Sequence, residues 1–407
     1  ELPEARAEAR TLALRRSLER HGGAVTVHDV QARAERGANG AIEWSALQHH
    51  LRLAPLPPLA AWTDARVTIP MHALVRLLEL PLQGWATYRL GLEEVEDDDV
   101  LARESEPFET ALREETLLLR SVLLDAGACK LPVSEAYDAA VRDRALRGEG
   151  PSGVFAKGER GDHLRALDAW ETSLRDASIP YETIELHRFG RAGEHARADQ
   201  VHEPVVLDVD FVDGAGVKRI VRAAIMGRAL PLAAGGTTSI TLAKRASEGK
   251  DEWAIAGRKR PLLRALVDHA LLSAAGPGAG KEHRSLLVVA TADRTVVESE
   301  RIPALSQDAA IVWLRDRVRE LLGQAHAYFL PFEAVFVRRA RDPVPPMVAV
   351  LQEARDKLRG GDGRLALRSA YGPVARPQDY PLPDEATARA MIAARFGVLF
   401  GEEEAAP

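Results

Sequence analysis

The chain has 407 residues, of which 46% are hydrophobic and 28% charged, a balance typical of globular proteins with two or three units. Its net charge of −6 gives no bulk argument for nucleic-acid binding, since coat proteins of nucleic acids are usually basic. No apolar run reaches the roughly 18 residues that cross a bilayer. The single cysteine, Cys129, excludes an internal disulfide framework and favours a cytoplasmic location.

The first part of the chain predicts no core of its own. A short helix ends at Gly22-Gly23, and residues 54–70 contain four prolines, a composition typical of a linker. The chain also begins at Glu1 rather than Met. We therefore expect residues 1–66 to be the remnant of a preceding domain plus a Pro-rich linker, in a fragment of a longer protein.

Residues 67 to about 180 predict helices. Thr68 can cap a helix and Pro70 can occupy its first turn, and the leucines that follow form one face up to Pro81. The acidic stretch EEVEDDD, 93–99, is typical of a solvated loop. Further helices are expected at about 109–126 and across 131–180, with a Gly-rich interruption at RGEGPSGVFAKGERG.

From residue 181 the apolar period changes to two, which predicts strands. The candidate strands lie in YETIELHRF, EPVVLDVDFVDGAG, VKRIVRAAIMGRALPL and TTSITLAKR. Turns are expected at Asp213-Gly214 and Gly235-Gly236. Three elements follow: a helix over RPLLRALVDHALLSAAG, a buried strand SLLVVAT, and an amphipathic helix that begins at about Asp308. Ser306 or Asp308 can cap this last helix. The order predicts an α/β (α+β) domain with a sheet core at about 181–332 and a helical tail at 333–407.

Three familiar kinds of site lack the residues or the spacing that they require. GPGAGK, 276–281, lacks the first glycine and the Ser or Thr of a phosphate loop, and it follows a helix, so a helix C-cap turn is the better interpretation. The histidines have no spacing typical of zinc ligands. No GxSxG is present, so a nucleophile-elbow hydrolase has no support. We predict no catalytic residue, no metal site and no cofactor.

A metal-dependent nuclease needs carboxylates that converge on Mg²⁺ and a supporting lysine. In the usual order of these residues, one acidic residue stands at the end of a strand, and the sequence Glu/Asp-x-Lys stands on the next strand. Here Leu230 stands where the first acid should be, and Leu242-Ala243-Lys244 stands in the second position. Lys244 alone cannot hold a cation. An unusual layout using Asp208 and Asp210 with Lys244 stays open as an alternative.

Basic clusters occur at 258–260, 315–319 and 338–341. Any of them could contact phosphate, although surface solvation explains each one singly. We predict DNA contacts at Arg258, Lys259, Arg260, Arg338 and Arg339.

The order of elements resembles the C-terminal domain of the RecC family, the gamma subunit of exodeoxyribonuclease V. Residues 77–109 give a helix ending at a proline, an aromatic–Arg–Leu segment, an acidic loop and then Glu-Pro-Phe before a leucine-rich helix. Residues 152–167, SGVFAKGERGDHLRAL, are similar to the family's turn of a glycine and an aromatic residue that leads into a helix. VKRIVRAAIMGRALPL contains a strand ending at Gly227, and 308–332 resembles the long helix with its Pro-Phe end. Residues 187–203 and the first 50 depart from the pattern.

The resemblance implies a restriction-endonuclease-like fold that has lost its catalytic residues, with Leu230, Leu242 and Lys244 at the degenerate positions. It implies RecB-like and RecD-like subunits and double- and single-stranded DNA as partners, no membrane, and a scaffolding and DNA-guiding role in recombinational repair of double-strand breaks. Two alternatives remain: an active Mg²⁺-dependent nuclease, and a protein-interaction module without DNA contact.

Overall fold

A computed structural model describes residues 66–79, 110–151, 153–191, 197–213, 217–244, 252–291, 294–323, 330–359 and 382–401, together with 81, 84, 85 and 88. The predicted opening helix, most of the Pro-rich linker, the acidic loop 93–99, the Glu-Pro-Phe phrase and the Gly/Pro-rich segment after residue 359 lie outside the described residues. The division of the chain at residue 66 stays a prediction.

The described helices are α1 (Met71–Glu79), α2 (Leu112–Cys129), α3 (Val133–Leu146), α4 (Gly153–Asp176), α5 (Glu252–Gly257), α6 (Arg260–Ala274), α7 (Gln307–Leu322), α8 (Phe332–Arg341), α9 (Met347–Arg359) and α10 (Glu385–Phe400). The described strands are β1 (Arg66–Pro70), β2 (His187–Phe189), β3 (Gln200–His202), β4 (Val205–Val212), β5 (Lys218–Arg228), β6 (Leu232–Ala233), β7 (Thr238–Ala243), β8 (His283–Ala290) and β9 (Thr295–Ile302).

Strand β5 is the centre of the first sheet. It pairs in parallel with β1 and antiparallel with β4, and its last residues pair with β2, which in turn pairs with β3. The second sheet has the order β6-β7-β8-β9, with β7 and β8 parallel. A bridge between Glu185 and Leu232 continues the β2 pairing into the second sheet, so the two sheets are connected through the bend at 229–231.

Among the residues that the structure describes, two hydrophobic clusters form the core. The larger one joins the first sheet to α1, α6, α7 and the C-terminal helices. The smaller one packs α2, α3 and α4 against β7 and β8 through Ile240, Leu242, Leu286, Val288 and Ala290. Helix α6 is central, since twelve of its fifteen residues are buried. The second sheet thus has the α2–α4 helices on one side, and the described part of the chain is a mixed α/β structure.

Several elements match the sequence prediction. Helices α6 and α7 and strands β4, β5, β7 and β8 occupy the predicted segments. The side chain of Ser306 accepts a hydrogen bond from the Ala309 amide and caps α7. Residues 276–280 form a turn after α6, as the helix C-cap interpretation predicts. None of the helices in the described ranges is long and apolar enough to cross a membrane.

Other elements differ from the prediction. Arg66–Pro70, expected as the end of a linker and a helix cap, forms β1, because Val67 and Ile69 are buried and alternate with exposed residues, the pattern of a half-buried strand. Strand β9 was not predicted, since its sequence TVVESERI has few apolar residues and buries only its end. The predicted Gly-rich interruption separates α3, which ends at Leu146, from α4, which begins at Gly153, whereas Gly158 and Gly161 lie inside α4.

Candidate functional site

The three positions that the resemblance assigns to lost nuclease residues are Leu230, Leu242 and Lys244. Leu230 follows β5, Leu242 lies on β7 and Lys244 directly follows β7. Both leucines are buried, at 7% and 4% exposure, and Leu242 packs in the smaller hydrophobic cluster. The two positions that would carry acids in a nuclease therefore have apolar side chains, and Leu242 takes part in packing.

Lys244 is held by a carboxylate that is distant in sequence. Its ammonium group donates to Glu115 Oε1 on α2. The same oxygen lies 2.6 Å from His163 Nε2 on α4, and His163 Nδ1 lies 2.9 Å from the hydroxyl of Tyr137 on α3. One arrangement satisfies every group: the tyrosine hydroxyl donates to Nδ1, and Nε2–H donates to the carboxylate. We call Lys244, Glu115, His163 and Tyr137 the buried polar chain.

The electrostatics of the buried polar chain favour an ionised glutamate. Burial acts to raise the pKa of Glu115, but hydrogen bonds from His163 and Lys244 outweigh it, and the pKa is lowered overall. Burial raises the pKa of Tyr137, so its hydroxyl keeps its proton. The ammonium group therefore neutralises the carboxylate within the protein, and the arrangement is a closed ion pair.

The carbonyls at the end of β7 are also bonded by side chains. Arg120 on α2 donates from Nε to the Leu242 carbonyl at 2.6 Å, and Trp170 on α4 donates to the Ala243 carbonyl at 3.1 Å. Helices α2 and α4 thus fix the backbone at the end of β7 through polar contacts as well as through packing.

A second buried network surrounds Leu230. The Leu230 amide and the Ser239 hydroxyl each donate to Asp268 Oδ2, both at 3.1 Å, and Ser239 Oγ lies 2.8 Å from His283 Nε2. Burial raises the pKa of Asp268 to about 6 and lowers that of His283 to about 3. We call Asp268, Ser239 and His283 the Asp268 network.

The Asp268 network contains the residue types of a nucleophilic triad in the wrong arrangement. Its serine lies between the aspartate and the histidine, so the aspartate does not orient the imidazole as a general base requires. Ser239 and Asp268 are also fully buried, out of reach of a substrate. The network fixes α6 against β7 and β8.

The alternative acidic cluster lies elsewhere in the fold. Asp208 and Asp210 are exposed on β4, and Asp210 forms an ion pair of 2.7 Å with Arg319, which lowers its pKa. Asp213 pairs with Arg219 at 2.9 Å. Lys244 bonds instead to Glu115. Within the described ranges, no group of three or more His, Cys, Asp or Glu side chains is placed to hold a metal ion.

The five predicted DNA contacts all have partners within the chain. Their contacts are Arg258 Nε with Glu298 (3.0 Å), Lys259 with Glu298 (3.3 Å) and Glu300 (2.6 Å), Arg260 with Glu333 (3.3 Å), Arg338 with Glu353 (2.6 Å), and Arg339 over the Phe400 ring (3.7 Å). A phosphate would have to compete with these carboxylates, so the DNA contacts at these residues stay predictions.

Sequence reasoning missed Glu115 and His163, although a signal is present. Glu115 lies four and eight residues before Leu119 and Leu123, and His163 lies four residues before Leu167, so both fall on apolar helix faces. A polar side chain on a buried face needs a partner. The sequence does not identify that partner, because Glu115 and Lys244 are 129 residues apart.

A scan against protein-family models and a search of curated proteins find no match for this chain. The resemblance to the RecC family is therefore carried by the sequence pattern alone.

Proposed function

We propose that this chain is a non-catalytic scaffold and DNA-guiding domain of a RecBCD-type helicase–nuclease complex, acting in the cytoplasm in the repair of double-strand breaks by homologous recombination. Its core would be a restriction-endonuclease-like fold without catalytic residues. RecB-like and RecD-like subunits and double- and single-stranded DNA would be its partners.

The ion pair between Lys244 and Glu115 is the observation that carries the proposal. A nuclease lysine supports an attacking water beside carboxylates that hold Mg²⁺. Here the lysine is positioned after β7, but its charge is neutralised by a glutamate from α2. Leu242, two residues earlier, packs among apolar side chains. These features support a nuclease-like arrangement whose polar groups stabilise the fold.

A nuclease assay tests the absence of cleavage. Purified chain is incubated with linear DNA and Mg²⁺ or Mn²⁺, and a known Mg²⁺-dependent exonuclease in the same buffer is the positive control. We expect intact DNA. Degradation that disappears in the Asp208→Ala and Asp210→Ala variants would instead establish the alternative, an active nuclease.

A binding assay tests the DNA-guiding role. We expect the chain to retain a forked duplex at low salt and to release it as salt increases, since phosphate contacts release counterions. Arg260→Glu should weaken retention, because the Arg260 side chain is 45% exposed. Arg165→Glu, at a surface arginine that is 74% exposed on α4, is the matched control. No retention at any salt concentration would favour a protein-interaction module.

A further inference from the structure

The gap between β5 and β7 is the place where the two sheets separate. β6 and β7 pair only at Leu232 with Ser239 and at Ala233 with Thr238, and the Ile240 amide then donates to the Pro231 carbonyl at 2.8 Å. Two residues further along β7, the Leu242 carbonyl accepts from Arg120. The guanidinium of Arg120 therefore lies at the side of β7 from which β5 has turned away.

Helix α6 presents a second arginine near this gap. Arg260, Arg264 and Asp268 are spaced by four residues and therefore share one face of the helix. Asp268 bonds to the Leu230 amide and to Ser239, which fixes this face against the bend and β7. Arg264 lies one turn before Asp268 and is exposed.

Helix α6 comes between the parallel strands β7 and β8 in the chain and so runs opposite to β7. Asp268 bonds to Ser239 near the start of β7, so Arg264, one turn earlier in α6, lies toward the Leu242 end, where Arg120 is bonded. The two guanidinium groups thus lie near the same end of β7. Burial lowers the pKa of Arg120, and the charge of Arg264 lowers it further. In the part of the chain that the structure describes, no carboxylate lies within ion-pair distance of either group, and Arg264 forms no hydrogen bond. This contrasts with Arg258 and Arg338, each of which is neutralised by a glutamate.

Nearby acidic groups neutralise the positive charge of the two arginines only in part. Burial raises the pKa of Glu79 on α1 and of Asp268, and the charge of Arg264 opposes this rise in both. Neither carboxylate forms an ion pair with Arg264. Glu79 also interacts with Arg260 and Arg76, so its charge is shared among three arginines. Like charges held together cost free energy, which a bound anion would recover.

We propose that Arg120 and Arg264 form a binding site for a phosphate group of a nucleic-acid strand. Guanidinium groups bind phosphate through paired, charge-assisted hydrogen bonds. The site lies beside Leu242 and the bend that carries Leu230. It would place positive side chains where an active nuclease places metal ions, and so hold a strand without cutting it. The inference rests on the proposed DNA-guiding function and names its contact.

Binding of labelled oligo-dT to the whole chain, followed by fluorescence anisotropy at several salt concentrations, tests the site. Arg264→Gln should weaken binding about tenfold. It should also reduce the slope of log K against log salt by about 0.7, the value for one single-strand phosphate. Arg264 is exposed, so this variant should fold. Arg120→Lys keeps the charge but loses the paired geometry, and it should also weaken binding. Arg165→Gln is the matched control and should bind as the wild type does.

A second probe separates the site from the proposed function. Pyrophosphate should raise the melting temperature of the wild type and of Arg165→Gln, but not that of Arg264→Gln. If oligo-dT binds and both Arg264→Gln and Arg120→Lys bind it equally well, the site is refuted while DNA guiding stands. If pyrophosphate binds through Arg264 but oligo-dT does not bind, both the nucleic-acid assignment and the DNA-guiding function are refuted. If neither probe binds, the site and the function are both wrong.

Discussion

Replacing Asp268 by asparagine should change how the stability of the protein depends on pH. The Asp268 carboxyl group is fully buried, and burial raises its pKa from 3.8 to about 6. The folded state therefore binds this proton more tightly than the unfolded state does. Between pH 3.8 and about 6 the free energy of unfolding falls as pH rises, because a buried charge must form. Asparagine removes this contribution.

The rise in the pKa of Asp268 changes the free energy of unfolding by about 3 kcal/mol in total, at about 1.4 kcal/mol per pH unit of pKa difference. His283 acts in the opposite direction, since burial lowers its pKa to about 3 and only the unfolded state binds its proton between there and about 6.5. The two effects oppose each other in the wild type between about pH 4 and 6. In the Asp268→Asn variant only the histidine contribution remains, and stability should rise steeply with pH over this range.

Urea denaturation at a series of pH values from 4 to 8 measures the effect. The difference in unfolding free energy between the wild type and Asp268→Asn should change by about 2–3 kcal/mol across the series and level off above about pH 7. Asp162→Asn, at a surface residue that is 56% exposed, is the control and should give a nearly constant difference. A constant difference for Asp268→Asn would refute the assignment of a raised pKa to this carboxyl group.

Three further substitutions should lower stability, each measurable by urea denaturation. Glu115→Ala leaves a lysine and a histidine without their carboxylate and should cost about 3–5 kcal/mol, whereas Glu171→Ala, which breaks a pair with the exposed Arg175 one turn along α4, should cost under about 1 kcal/mol. Gly227→Ala should cost about 1–3 kcal/mol, because φ is +146° and a Cβ atom would lie 3.0 Å from a methionine side chain. Gly257→Ala, with no atom within 4 Å, should cost nothing. Arg395→Met removes a partner of a buried glutamate on α7 and should cost about 3 kcal/mol. For the first two substitutions, equal losses in the variant and its control would contradict the mechanism; for Arg395→Met, an unchanged unfolding free energy would contradict it.

Local pattern was enough to predict the strongly periodic elements. Helix α7 has an apolar stripe with Ser306 before it, and strand β4 alternates strictly between buried and exposed residues, so each carries its own signal. Strand β1 could not be separated from the Pro-rich segment before it, because five residues with two buried side chains give a weak pattern. What places β1 in the fold is its pairing with β5, more than 150 residues later.

The candidate site was predictable only in part. The sequence singles out Lys244 and the leucine two residues before it, because the spacing of an acid and a lysine on one strand is a local pattern; their assignment as nuclease positions stays a prediction. Glu115, Arg120 and Arg264 could not be assigned, since their roles depend on how helices α2 and α6 dock on the sheet. Long-range packing brings them to the second sheet, and no alternation or helical period encodes that docking.

The contacts of α2 with β7 have a consequence for how the chain folds during synthesis. The partners Arg120 and Leu242 are 122 residues apart, and Trp170 and Ala243 are 73 apart. Helices α2 and α4 therefore leave the ribosome well before the strands that cover their apolar faces. At about 5–20 residues per second, that delay lasts several seconds or longer. During this time Leu119, Leu123 and Trp170 have no sheet to pack on, so the nascent helices should depend on one another, or on a chaperone, until β7 and β8 emerge.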